Sequence, residues 1–122
     1  MATELLGPEA LSRGPDGVEF TLTIPNPSIT TYPVTLNIRK AWTLTGITFI
    51  QQGSSTPTAT FDVFNDGTGV VGLTAVAGTS TKQSATPTAP EAMVAGNTME
   101  IDVTAVGGTR EFFVVTFHGE WT

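Results

Sequence analysis

Apolar and hydroxylated residues alternate along several stretches of this chain. Val18, Phe20, Leu22 and Ile24 share one parity, with Glu19, Thr21 and Thr23 between them. Ala59, Phe61 and Val63 repeat the pattern around Thr60 and Asp62, and Met99, Ile101, Val103 and Ala105 repeat it around Glu100, Asp102 and Thr104. A period of two sends one row of side chains into a core and the other toward water. It predicts strands over 18–24, 32–39, 42–50, 58–64, 69–76, 79–86, 98–106 and 111–118. Eight strands without helical periodicity predict an all-β fold, an antiparallel β-sandwich that is jelly-roll-like. An immunoglobulin-like sandwich is the alternative, although the Cys–Trp–Cys signature of that fold is absent. The inward row predicts a core drawn from Phe20, Leu22, Leu36, Ile38, Trp42, Phe61, Val63, Ile101, Val103, Val115 and Phe117.

Breaks in the pattern locate the turns. Pro25 and Pro27 close the first strand, because proline cannot donate to a ladder. At Gly46 the apolar parity switches from Trp42 and Leu44 to Ile47 and Phe49, which predicts a β-bulge or a bend between sheets. Asn65-Asp66-Gly67 between two alternating runs predicts a hairpin, and Gly107-Gly108 predicts a second. Residues 79–86 are polar throughout and read as an edge strand guarded by Lys82, and 87–96 read as a longer connection. Residues 112–117 depart from alternation: Phe112, Phe113, Val114, Val115 and Phe117 are nearly continuous. Such a run implies cover on both faces, either by an arm or loop or by a neighbouring subunit.

Residues 1–16 lack alternation altogether and contain Gly7, Pro8, Gly14 and Pro15; Pro8 suits the first turn of a short helix over Glu9 to Ser12. The division is therefore a short N-terminal arm, 1–16, and a β-sandwich domain, 17–122. Leu5, Leu6 and Leu11 give the arm an apolar surface that calls for a partner.

Composition narrows the function classes. Charged residues make up 13% of the 122, so solubility rests on hydroxyls more than on charges. A net charge of -6 disfavours nucleic acid, whose phosphates need Lys and Arg, and disfavours an anionic membrane surface. With no cysteine the chain has neither disulfides nor thiolate metal sites. It shows no secretory leader, so synthesis in a cytoplasm is the expectation.

Candidate chemistry is thin. Asp62, Asn65 and Asp66 lie close together, as oxygen ligands for Ca²⁺ would, but the spacing and distal Glu of a calcium loop are missing, and no metal is expected. Glu100, Asp102 and Glu111 fall on the proposed final hairpin, where exposed carboxylates serve solubility more often than glycoside hydrolysis. His118 has no second histidine and no marked nucleophile. Tyr32, Trp42 and Trp121 are candidates for sugar stacking; Trp42 has core parity, while Trp121 suits a contact surface. No catalytic residue and no cofactor are expected.

The stretch from Gly46 to Glu120 reads T-G-I-T-F-I-Q-Q-G, then P-T-A-T-F-D-V-F-N-D-G-T-G-V-V-G-L-T-A-V, then V-A-G-N-T-M-E-I-D-V-T-A-V-G-G-T and E-F-F-V-V-T-F. It resembles a β-domain of tailed-bacteriophage structural proteins, found in small capsid decoration (cement) proteins and in head- or tail-fibre domains. Such families often read Ala-Gly-Asp before the penultimate strand, where this chain has Ala95-Gly96-Asn97; residues 1–45 have no counterpart in the pattern. The resemblance implies a non-enzymatic virion component on the capsid surface. It would bind the major capsid protein, bridge neighbouring copies of it, and assemble as a homotrimer. The alternative is a receptor- or carbohydrate-binding fibre module. A fibre normally adds a shaft or adaptor, so a chain of 122 residues beginning at Met1 favours decoration. Leu5, Leu6, Leu11, Phe112, Val114 and Trp121 are the expected interface residues.

Overall fold

The computed structural model describes residues 17–35 and 40–122. Among these every regular element is a strand: β1 (Gly17–Pro25), β2 (Thr31–Thr35), β3 (Trp42–Asn65), β4 (Thr68–Gly69), β5 (Val76–Gly78), β6 (Gln83–Ala85), β7 (Glu91–Met93) and β8 (Met99–Trp121). All pairings are antiparallel within a single eight-stranded sheet. The all-β prediction holds, but the strands differ in length from those read off the sequence. The segments 42–50 and 58–64 are one strand of 24 residues, and 98–106 and 111–118 are one strand of 23.

Those two long strands, β3 and β8, pair along their whole length, from Trp42 opposite Trp121 to Asn65 opposite Met99. They also fold back on themselves. Phe49 and Phe61 are twelve residues apart on β3, roughly 40 Å along a straight strand. Their ring centroids are nevertheless 5.3 Å apart. Asn65 Nδ2 donates to Glu91 Oε2 at 2.8 Å, although Glu91 pairs with Leu44 near the other end of β3. The sheet is therefore doubled into a sandwich-like pair of layers. The first layer holds β1, the last part of β8, the first part of β3, and β6 and β7. The second holds β2, the first part of β8, the last part of β3, and β4 and β5.

The fold line runs through Gly53–Pro57 and Gly107–Gly108, where the β3–β8 register slips between Gln51 and Gly53 and again between Ser54 and Thr58. Ser55 and Thr56 adopt left-handed φ of 57° and 52°. That conformation is uncommon for any residue with a Cβ and more so for the β-branched Thr56, which also precedes Pro57 and would normally stay extended. Gly107-Gly108, expected to turn a hairpin, instead lies at this corner within β8, which continues through it without a break. Beside the corner Gln51 is fully buried, its amide donating to Gln52 O and Phe112 O, while its Oε1 has no partner among the described residues.

Between the layers lies a core of Trp42, Leu44, Ile47, Phe49, Ala59, Phe61, Val63, Met99, Ile101, Val103, Phe113, Val115 and Phe117, joined by Val18, Ile24, Val70, Leu73 and Met93. Phe61 contacts Phe49 and Phe113 edge-on and so joins the two layers at their centre. Of the predicted core, Phe20 and Leu22 are only partly buried, and Leu36 and Ile38 lie outside the described residues. The Gly46 parity switch is a register shift between Leu44 and Gly46, a bulge, while the change of layer comes later, at Gly53. Asp66-Gly67 is a two-residue turn with φ of 52° and 86°, as its sequence requires, although the strand it leads into has only two residues.

Candidate docking faces

Each layer turns one face outward, and β3 and β8 supply the centre of both. In the first layer the outward row of β8 is Phe112, Val114, Thr116 and His118; the register places Val114 between Thr23 of β1 and Ile50 of β3, and Thr116 between Thr21 and Thr48. Phe112 is 45% exposed beside Pro25, and with the half-buried Val114 and Ile50 it forms a short apolar strip. The run 112–117 is thus a strand with the ordinary two-fold period, Phe113, Val115 and Phe117 pointing inward. Hydroxyls flank the strip, and Thr21 and Thr116 bond to each other at 2.8 Å.

At the margin of that face three strands meet through side chains. Thr48 Oγ1 lies 3.0 Å from His118 Nε2, and His118 Nδ1 lies 3.4 Å from Glu19 Oε2. With its proton on Nδ1, the neutral imidazole donates to Glu19 and accepts the Thr48 hydroxyl proton. The order acid, base, hydroxyl is that of an acyl-transfer relay. Yet Thr48 sits between Thr116 of β8 and Ser84 of β6. Its backbone is committed to the ladder on both sides. The trio joins β1, β8 and β3. His118, read from the sequence as alone, is not. The signal was missed because Glu19 and Thr48 lie 99 and 70 residues away and only the strand register aligns them.

The outward face of the second layer is acidic. Asp62 stands directly opposite Asp102, and Glu100 opposite Phe64. Asp62 Oδ1 accepts the Ala75 N–H at 2.6 Å, and Asp102 Oδ1 accepts the Thr31 hydroxyl at 3.2 Å. Asn65 turns its amide to Glu91 and the Ala92 carbonyl, away from Asp66. Among the described residues no three His, Cys, Asp or Glu side chains gather as a metal site. Glu111 does not join Glu100 and Asp102 on a hairpin: it lies beyond the corner, in the first layer, where its carbonyl accepts the Asn26 N–H.

The three aromatics considered for sugars are engaged elsewhere. Trp42 is 1% exposed. The Tyr32 hydroxyl is tied to Ser28, and the Lys40 ammonium stands 5.4 Å above the Trp121 ring, which is half-buried opposite Trp42. Leu5, Leu6 and Leu11 lie outside the described residues. Phe112, Val114 and Trp121 do not form one surface row: Phe112 and Val114 share the apolar strip near the corner, and Trp121 ends β8 nine and seven residues further on. Ile50, which the sequence reading assigned only to a strand, belongs to the strip. No protein-family model matches this chain, and no curated protein matches it.

Proposed function

We propose that this protein is a non-enzymatic structural component of a tailed-phage virion that binds the outer capsid surface and bridges neighbouring major capsid proteins. The observation that carries the reading is the outward face of the first layer. A strip of Phe112, Val114 and Ile50, set among Thr21, Thr23, Thr48 and Thr116, offers apolar contact area framed by short, neutral hydrogen-bonding groups. Such a face suits a flat protein surface better than a small ligand, which binds in a concave site. The sequence resemblance to decoration proteins points the same way. A protein that binds assembled capsid but not free subunits stabilises the shell by its binding free energy, and a lattice repeats that contact many times.

The experiment is a capsid-binding assay with purified phage heads, paired with electron microscopy of the decorated particle. Phe112→Asp combined with Val114→Asp is expected to weaken decoration at least about ten-fold, with the unfolding midpoint little changed, because both side chains point outward. A wild-type chain that ignores capsids, or a double variant that decorates them normally, would overturn this assignment.

A further inference from the structure

We propose that β1 is a self-complementary edge through which two copies of this chain pair antiparallel, about a two-fold axis at Thr21.

The other outer strands carry features that discourage pairing. β2 contains Pro33 and a register shift, and β4 to β7 are two or three residues each. β1 has nine residues, ends the strand order among the described residues, and keeps an unbroken register with β8 from Gly17 to Pro25. It has no lysine, no bulge and no proline before its last residue, which are the usual means of blocking an edge.

Backbone direction follows from one bond. Asn26 N–H donates to Glu111 O at 2.6 Å, continuing the register that sets Pro25 opposite Phe112. Even-numbered residues of β1 therefore turn their N–H and C=O groups toward β8, and Thr21 and Thr23 turn theirs toward the outer edge. The core row has a matching gap. Val18 and Ile24 are 2% and 4% exposed, whereas Phe20 and Leu22 between them are only partly buried. That gap is symmetric about Thr21.

Antiparallel pairing centred on Thr21 satisfies both at once. Thr21 meets Thr21 of the second copy and exchanges two backbone bonds with it. Phe20 meets Leu22 of the second copy, and Leu22 meets its Phe20, so the two half-covered residues cover each other. Charge permits this contact although each chain carries a net charge of -6. The one ionisable side chain on β1 is Glu19, which falls opposite Thr23, so like charges do not face each other. The inference does not rest on the capsid reading, and an even-numbered assembly would replace the trimer implied by the resemblance.

The chain has no cysteine, so a single engineered thiol reports the axis. Directly opposed residues in a hydrogen-bonded antiparallel pair have Cα atoms about 5.5 Å apart, inside the span of a disulfide. Residues 23 of the two copies would stand four residue steps apart, roughly 13–14 Å, which is too far. The full-length wild type is expected to sediment as a dimer. Full-length Thr21→Cys under mild oxidation is expected to cross-link at least ten-fold faster than Thr23→Cys. Thr21→Pro removes the central outward N–H but no bond to β8, and is expected to weaken dimerisation at least ten-fold while the monomer stays folded. A wild type that sediments as a monomer or trimer at high micromolar concentration would overturn the proposal. So would equal cross-linking at positions 21 and 23. A monomer whose Thr21 and Thr23 amides are protected from hydrogen exchange would also overturn it, and would assign the edge to another part of the same chain.

Discussion

The two outward faces of the sandwich are built from the same pair of strands and have opposite chemistry. Between the Trp42–Trp121 end and the corner, β3 and β8 show hydroxyls and then Ile50, Val114 and Phe112; past the corner they show Asp62, Asp102 and Glu100. The inward rows do not differ in this way: both are buried, and both are apolar apart from Gln51 beside the corner. Burial constrains the inward row strictly, so the difference between the faces is a property of the surface alone. The acidic face opposes Asp62 to Asp102, an arrangement that lowers stability and is tolerable because water and two hydrogen bonds screen it. The first face has the opposite character, with Phe112 45% exposed on it.

The largest effect is expected in the core that both faces share. Phe61→Ala removes the ring that touches both Phe49 and Phe113, and a loss of about 3–5 kcal/mol is expected in urea unfolding, through one transition. Two separate transitions would show that the layers are independent units. A smaller effect is expected at the corner. Gly108 has φ of 68°, and a Cβ there would run into the carbonyls of Ser55 and Thr56. Gly108→Ala should lower stability by about 1–3 kcal/mol. Gly67→Ala, also left-handed but with open space around it, should lose only about 1 kcal/mol. Equal losses at the two glycines would mean that the corner is not tightly packed. The smallest effect sharpens the contrast between the faces. Asp102→Asn keeps an acceptor for Thr31 and removes the like-charge opposition, so a gain of about 0.2–1 kcal/mol is expected at low salt, shrinking as salt is added. The same measurement on the hydroxyl face, with Thr116→Val, should show no such salt dependence.

Much of this was legible along the chain. Alternation identified the inward row: Trp42, Phe61, Val63, Ile101, Val103, Val115 and Phe117 are all buried as their parity requires. Gly46 marked a bulge and Asp66-Gly67 a tight turn, because each depends on the conformations open to one or two residues. The outward position of Phe112 and Val114 was also implicit in that parity, although their neighbours Phe113 and Val115 hid it in a continuous apolar run.

Short-range facts were legible along the chain: the all-β class, the face each side chain takes, and the Asp66-Gly67 turn, although Gly107-Gly108 proved to be no hairpin. These depend on sterics between neighbouring residues. Tertiary structure decided where β3 and β8 fold over and which distant rows meet. The corner puts Ser55 and Thr56 in left-handed conformations that local preference opposes, and it brings Phe61 against Phe49 and Phe113. The Glu19–His118–Thr48 contact and the opposition of Asp62 to Asp102 arise from pairing register, set by residues tens of positions apart. A local pattern fixes which face a residue takes, and only the packed sheet fixes what lies beside it on that face.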